Sequence, residues 1–131
     1  MAAGTYNFTI EQGATFERTF KYKDSEGGML PLTNHNVTMQ IRESLDSDNF
    51  VLNITQEGAI KSDGSNISST KFTNNSTTEV PSNEFGLTID ADTTASMSFD
   101  TALYDIELKD NLNKVTRLLQ GKIKLSKEIT R

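Results

Sequence analysis

The sequence predicts an all-β protein, an immunoglobulin-like antiparallel β-sandwich of about seven to eight strands in one domain spanning residues 1–131. Three observations carry this prediction. Apolar residues alternate with polar ones at a period of two along most of the chain. Asn, Ser and Thr fill 40 of the 131 positions, a composition suited to short strands joined by many turns. Only one stretch, near residues 91–97, reads as a helical turn.

The first strand comes from Tyr6, Phe8 and Ile10, which alternate with Thr5, Asn7 and Thr9 up to Gln12-Gly13. Phe16, Phe20 and Tyr22 share a face that Arg18 interrupts, before the turn Asp24-Ser25-Glu26-Gly27-Gly28. Leu30-Pro31-Leu32-Thr33 reads as an edge or connecting segment, because Pro31 cannot donate to a ladder. Val37, Met39 and Ile41 form a strand that pairs, across the loop Asp46-Ser47-Asp48-Asn49, with Phe50, Leu52 and Ile54 as a hairpin. Residues 61–83 carry only Ile67, Phe72 and Val80 as apolar anchors and read as a long loop or an irregular hairpin. Phe85, Leu87 and Ile89 make the next strand, followed by a turn that Asp90 or Asp92 caps, with Ala95 and Met97 tucked inward. Tyr104, Ile106 and Leu108 then cross the turn Asp110-Asn111-Leu112-Asn113 into a last strand. That strand places Val115, Leu119, Ile123 and Leu125 on one face, with a bulge or close backbone approach at Gly121.

Composition narrows the chemistry. Without Cys there is no disulfide, thiolate metal site or cysteine nucleophile, and the single His35 lies in a polar stretch with no marked nucleophile or orienting acid. The pairs Asp46/Asp48 and Asp90/Asp92 suit turns and caps, and the loop at 46–49 lacks the Gly and distal Glu of a helix-loop-helix calcium site. No phosphate-cradling glycine motif is present. No apolar run approaches the ~20 residues of a membrane helix. Met1 to Thr5 show neither a basic nor an apolar leader region, so the expected site of synthesis is a reducing compartment. Six Asn-X-Ser/Thr sequons are accordingly read as chance matches in an Asn/Ser/Thr-rich chain. The expectation is therefore of no cofactor, metal, small-molecule substrate, nucleic acid or membrane partner, and of no enzymatic activity.

Charge is divided unevenly. Residues 1–108 hold 6 basic and 16 acidic side chains, whereas residues 109–131 hold 7 and 2. Lys122 and Lys124 alternate with Ile123 and Leu125, so they decorate the outer side of a strand and offer no aromatic platform for bases. Such a division suits a self-complementary surface, the basic last strand of one copy meeting the acidic body of another.

The opening Ala3-Gly4-Thr5-Tyr6-Asn7-Phe8-Thr9-Ile10-Glu11-Gln12-Gly13-Ala14-Thr15-Phe16 resembles the start of small structural proteins of tailed bacteriophages, cyanophages above all. So do Leu32-Thr33 and Met39-Gln40-Ile41-Arg42, and near the end Tyr104-Asp105-Ile106-Glu107-Leu108, Val115 to Ile123 and Glu128-Ile129-Thr130-Arg131. The arrangement is also similar to the immunoglobulin-like N-terminal domain of phage baseplate upper proteins. This resemblance implies a virion protein made in the bacterial cytoplasm, built into a tail or baseplate beside other virion proteins and copies of itself. Its expected contacts are Tyr6, Phe8 and Ile10 in the first strand and Lys122, Lys124 and Arg131 in the last segment, 122–131. The resemblance leaves two other roles open: a capsid decoration or cement protein, and a carbohydrate-binding adhesion module using Lys61 to Asn83.

Overall fold

The computed structural model describes residues 4–23 and 26–129. Their elements, in chain order, are β1 (Gly4–Thr5), β2 (Phe8–Glu11), β3 (Phe16–Lys21), β4 (Asn36–Arg42), β5 (Leu52–Ile54), β6 (Ala59–Lys61), β7 (Asn66–Ile67), β8 (Lys71–Thr73), β9 (Glu84–Ile89), α1 (Ala91–Ala95), β10 (Thr101–Lys109) and β11 (Val115–Ser126). Two sheets result. The larger runs β1-β11-β10-β4-β5-β6-β7 with β2 also on β11, and the smaller runs β3-β9-β8. The fold is the expected all-β sandwich with one short helix.

Alternation dictates the core. In β4, β9 and β10 every second side chain is buried, including Val37, Met39 and Ile41, then Phe85, Leu87 and Ile89, then Tyr104, Ile106 and Leu108. Each strand thus commits one face to the space between the sheets and leaves the other polar. Phe20 stacks on Phe85 at 5.4 Å, and Phe72 meets Phe85 edge-on at 5.7 Å, so the smaller sheet contributes an aromatic layer.

Several details differ from the sequence reading. The N-terminal strand pairs with β11 in parallel, the exception to otherwise antiparallel ladders. It is also split in two, although Thr5↔Gln120 and Phe8↔Ile123 keep one register across the break. The eleven strands among the described residues exceed the expectation because of this split and because residues 59–73 supply three short strands. Residues 61–83 are partly an irregular hairpin, β6 with β7, and partly β8, which carries buried Phe72 into the smaller sheet. Val80 is exposed and anchors nothing.

Val115 is exposed too, not on the core face with Leu119. The ladder shifts between Ile106↔Leu119 and Glu107↔Arg117, leaving Leu118 as an extra residue, and this bulge turns everything before it to the opposite face. At α1 the residues turned inward are Thr93 and Thr94, together with Met97, whereas Ala95 is exposed.

Asp90 occupies the N-cap position but makes no side-chain cap bond to the helix backbone. Its carboxylate instead accepts hydroxyl bonds from Thr70 at 2.6 Å and from Thr93. Burial pushes the Asp90 carboxyl up, but the hydroxyls of Thr70, Thr93 and Ser69 outweigh it and hold the group below the usual carboxylate range. Asp90→Ala removes the carboxylate acceptor of the buried Thr70 and Thr93 hydroxyls, leaving Thr70 its 3.3 Å bond to Thr93 Oγ1 and the backbone N–H of residue 90, and is expected to cost about 1–3 kcal/mol in urea denaturation. A folded pKa below the unfolded one means that this stabilisation is present above pH ~4 and is lost as pH falls through the folded value, a loss the variant does not show.

Candidate assembly surface

The seat of the N-terminal strand is built around Gly121. A Cβ at that position would lie 2.2 Å from the Tyr6 carbonyl oxygen and 2.8 Å from Asn7 Oδ1, so only glycine lets the two backbones come this close. The expected close approach at Gly121 is therefore present, while the bulge lies three residues earlier, at Leu118. The Tyr6 N–H donates to the Gln120 carbonyl at 3.0 Å, and the Lys122 N–H donates to Asn7 Oδ1 at 2.9 Å. The Tyr6 carbonyl accepts the Tyr104 hydroxyl at 2.5 Å. A side-chain amide and a phenol thus replace ladder bonds where the strand breaks.

Burial first, and then neighbouring Tyr6, push the Tyr104 hydroxyl up to about 12. Its folded pKa exceeds the unfolded value of ~10, so the stabilisation holds below pH ~10 and is lost as pH rises towards 12. Ultraviolet titration is expected to show a phenol ionising near pH 12, and Tyr104→Phe is expected to abolish that late step and cost about 1 kcal/mol.

Tyr6 and Arg18 close the side of the sandwich between the N-terminal strand and β3. The Arg18 guanidinium lies 5.7 Å from the Tyr6 ring centre and 5.4 Å from that of Phe16, and donates to the Tyr6 hydroxyl. Arg18 therefore does not interrupt the apolar face: it covers it with its flat cation.

Phe8 and Ile10 are core residues, 7% and 0% exposed, and Tyr6 is half-buried. Contact through this segment falls to its outer main-chain edge and to the exposed side chains of Thr5, Asn7 and Thr9. Residues facing β11 alternate along it, which turns the N–H and C=O groups of Thr5, Asn7 and Thr9 away from the sheet. Lys122 and Lys124 have exposed side chains, but their main chain lies between β10 and β2. The expectation of a free strand edge at 122–131 is corrected over 122–126: those residues offer side chains, not an edge. Arg131 lies outside the described residues.

The four sheet edges are unequal. β7 has two residues and β8 three, and β3 carries Glu17, Arg18 and Lys21 among six. Short or charged edges resist strand addition. Residues 4–11 hold one charge, Glu11.

Outward side chains of β4, β10 and β11 form a polar face on the larger sheet. Arg42, Leu103 and Lys122 sit side by side across three strands, and Gln40, Asp105 and Gln120 form the next row. Arg117 Nε is 3.5 Å from Asp105. Between these rows and Leu45 is a shallow open concavity of about 590 Å³.

His35 lies apart from this surface. Its Nδ1 is 3.1 Å from the Thr33 carbonyl, and the open groove beside it is walled by Asn34, Asn36, Gln56, Asn74 and Asp110. The backbone N–H of Lys114 holds the Asp110 carboxyl below the usual range, with that of Leu112 assisting. Among the described residues, no group of three or more His, Asp or Glu is placed to hold a metal ion, and no helix is long and apolar enough to cross a membrane. In residues 61–83 the one aromatic side chain, Phe72, is buried, so that stretch presents no ring on which a sugar could stack.

The N-terminal edge and the close approach at Gly121 were legible in the sequence, whereas the interlock between them and the basic sheet face left no signal beyond the surplus of cations near the C-terminus. No family model matches this chain, and no curated protein matches it.

Proposed function

We propose that this chain is a non-enzymatic structural protein of a tailed-phage particle, a β-sandwich that assembles through a sheet edge and a sheet face, most naturally in the tail or baseplate. The observation that carries the assembly reading is the outer edge of residues 4–11, longer than the β7 and β8 edges and, unlike β3, nearly uncharged. Such an edge can be extended by a strand of a neighbouring virion protein, with main-chain hydrogen bonds supplying affinity. The resemblance of both ends of the sequence to small phage structural proteins supports the virion setting.

Labelling purified particles with an antibody to this chain tests the reading. Label on the tail is expected. Label spread over the head would favour the decoration role, and particles without label would overturn the virion reading. A carbohydrate-binding role has no exposed aromatic in the Lys61 to Asn83 stretch to favour it.

A further inference from the structure

The outer face of the larger sheet is basic in a chain of formal charge -5. Arg42, Lys109, Arg117, Lys122 and Lys124 stand on it against Asp105, Glu107 and Glu11. Two of these cations are engaged within the chain: Arg42 donates to the Ser47 carbonyl at 2.9 Å and to Gln40 Oε1 at 3.1 Å, and Arg117 pairs with Asp105. Lys122 and Lys124 form no ion pair among the described residues, although both project into solvent.

The opposite sign gathers at one end of the sandwich. β4, β6 and β9 finish there and β5 and β10 begin there, so their loops bring Glu43, Asp46, Asp48, Asp63, Asp92 and Asp100 together at that end, all exposed. Lys127, 3.6 Å from Asp100, and Lys61 offset this only in part. The same end carries an apolar tip, Leu45, 86% exposed beside Asp46 and Asp48. The basic face has a matching floor, since half-buried Leu103 lies between Arg42 and Lys122 in the open concavity.

We infer that these surfaces are the two halves of one contact between copies: the acidic loop end of one chain docks on the basic outer face of the larger sheet of the next. Complementary charge sets the orientation, and Leu45 over Leu103 supplies the apolar centre that a polar-rimmed interface needs. The two halves adjoin within each chain, Leu45 lining the same concavity as Leu103 and Arg42 donating to the Ser47 carbonyl of the acidic loop; the contact is either returned within a two-fold dimer or repeats from copy to copy into a ring or filament. This inference deepens the assembly reading by naming a second copy as the partner.

Sedimentation of the purified chain at low and high ionic strength tests it. A mass above the monomer is expected at roughly 0.02 M salt, returning to monomer at roughly 0.5 M as the charges are screened. Lys122→Glu with Lys124→Glu, and separately Asp46→Lys with Asp48→Lys, change only exposed side chains and are each expected to weaken self-association at least about tenfold. A mixture of the two variants restores complementary charge at both contacts, native acidic end on native basic face and reversed end on reversed face, so it is expected to regain the self-association that each variant alone has lost. A monomer at every ionic strength, association indifferent to either charge reversal, or a mixture that stays monomeric would each overturn the contact. Particle labelling together with a salt-independent monomer would leave the virion reading standing while removing this contact alone.

Discussion

Gly121→Ala is expected to lower the stability of the chain by about 2–3 kcal/mol and to loosen the whole N-terminal strand. The added Cβ would sit 2.2 Å from the Tyr6 carbonyl oxygen and 2.9 Å from its carbon, and these are backbone atoms with no rotamer to change. Something must move, and the edge strand is the part held on one side only. Displacing it breaks the Tyr6 to Gln120 bond and the Asn7 to Lys122 bond, and draws Phe8 and Ile10 away from the core. Urea denaturation checks the magnitude, and limited proteolysis checks the location, with early cleavage expected near residues 12–15. Gly86→Ala is the control. Its Cβ would meet nothing within 4 Å, so stability is expected to change by no more than about 0.5 kcal/mol.

Phe72→Ala is expected to cost more, about 3–5 kcal/mol. Phe72 is 1% exposed and packs edge-on against Phe85, although its neighbours in sequence are Ser, Thr, Lys and Asn. Its removal opens a cavity in the smaller sheet and frees β8, which has three residues to hold it to β9. Val80→Ala, in the same polar stretch, is expected to stay within about 0.5 kcal/mol because Val80 is 69% exposed. The contrast distinguishes a segment anchored by one buried ring from a loop that merely bears apolar residues.

These two positions also show what could and could not be read in the sequence. Long strands with one committed face, such as β4, β9 and β10, declare themselves by alternation, and their core residues follow directly. β8 does not, because three residues contain one apolar side chain and no period. The parallel direction of the N-terminal strand was equally hidden, since side chains alternate at the same period in parallel and antiparallel ladders. The bulge left one trace, the adjacent pair Leu118-Leu119, two apolar residues in succession where alternation allows one.

For the candidate site, the excess of cations near the C-terminus was legible as a count. The face they form was not, because Arg42 joins Lys122 through strand order and not through nearness in sequence. Free edges were legible only as candidates. Both ends of the chain read as strands able to extend a sheet, and they occupy much of that capacity on each other, β2 against β11.

The assembly account turns on whether the chain is a fixed part of a particle. Quantitative mass spectrometry of purified virions, counting this chain against the major capsid protein, measures that directly. A ring-forming number of copies per particle, about three, six or twelve, is expected of a tail component. Absence from particles, or trace amounts that fall with each purification step, would contradict it.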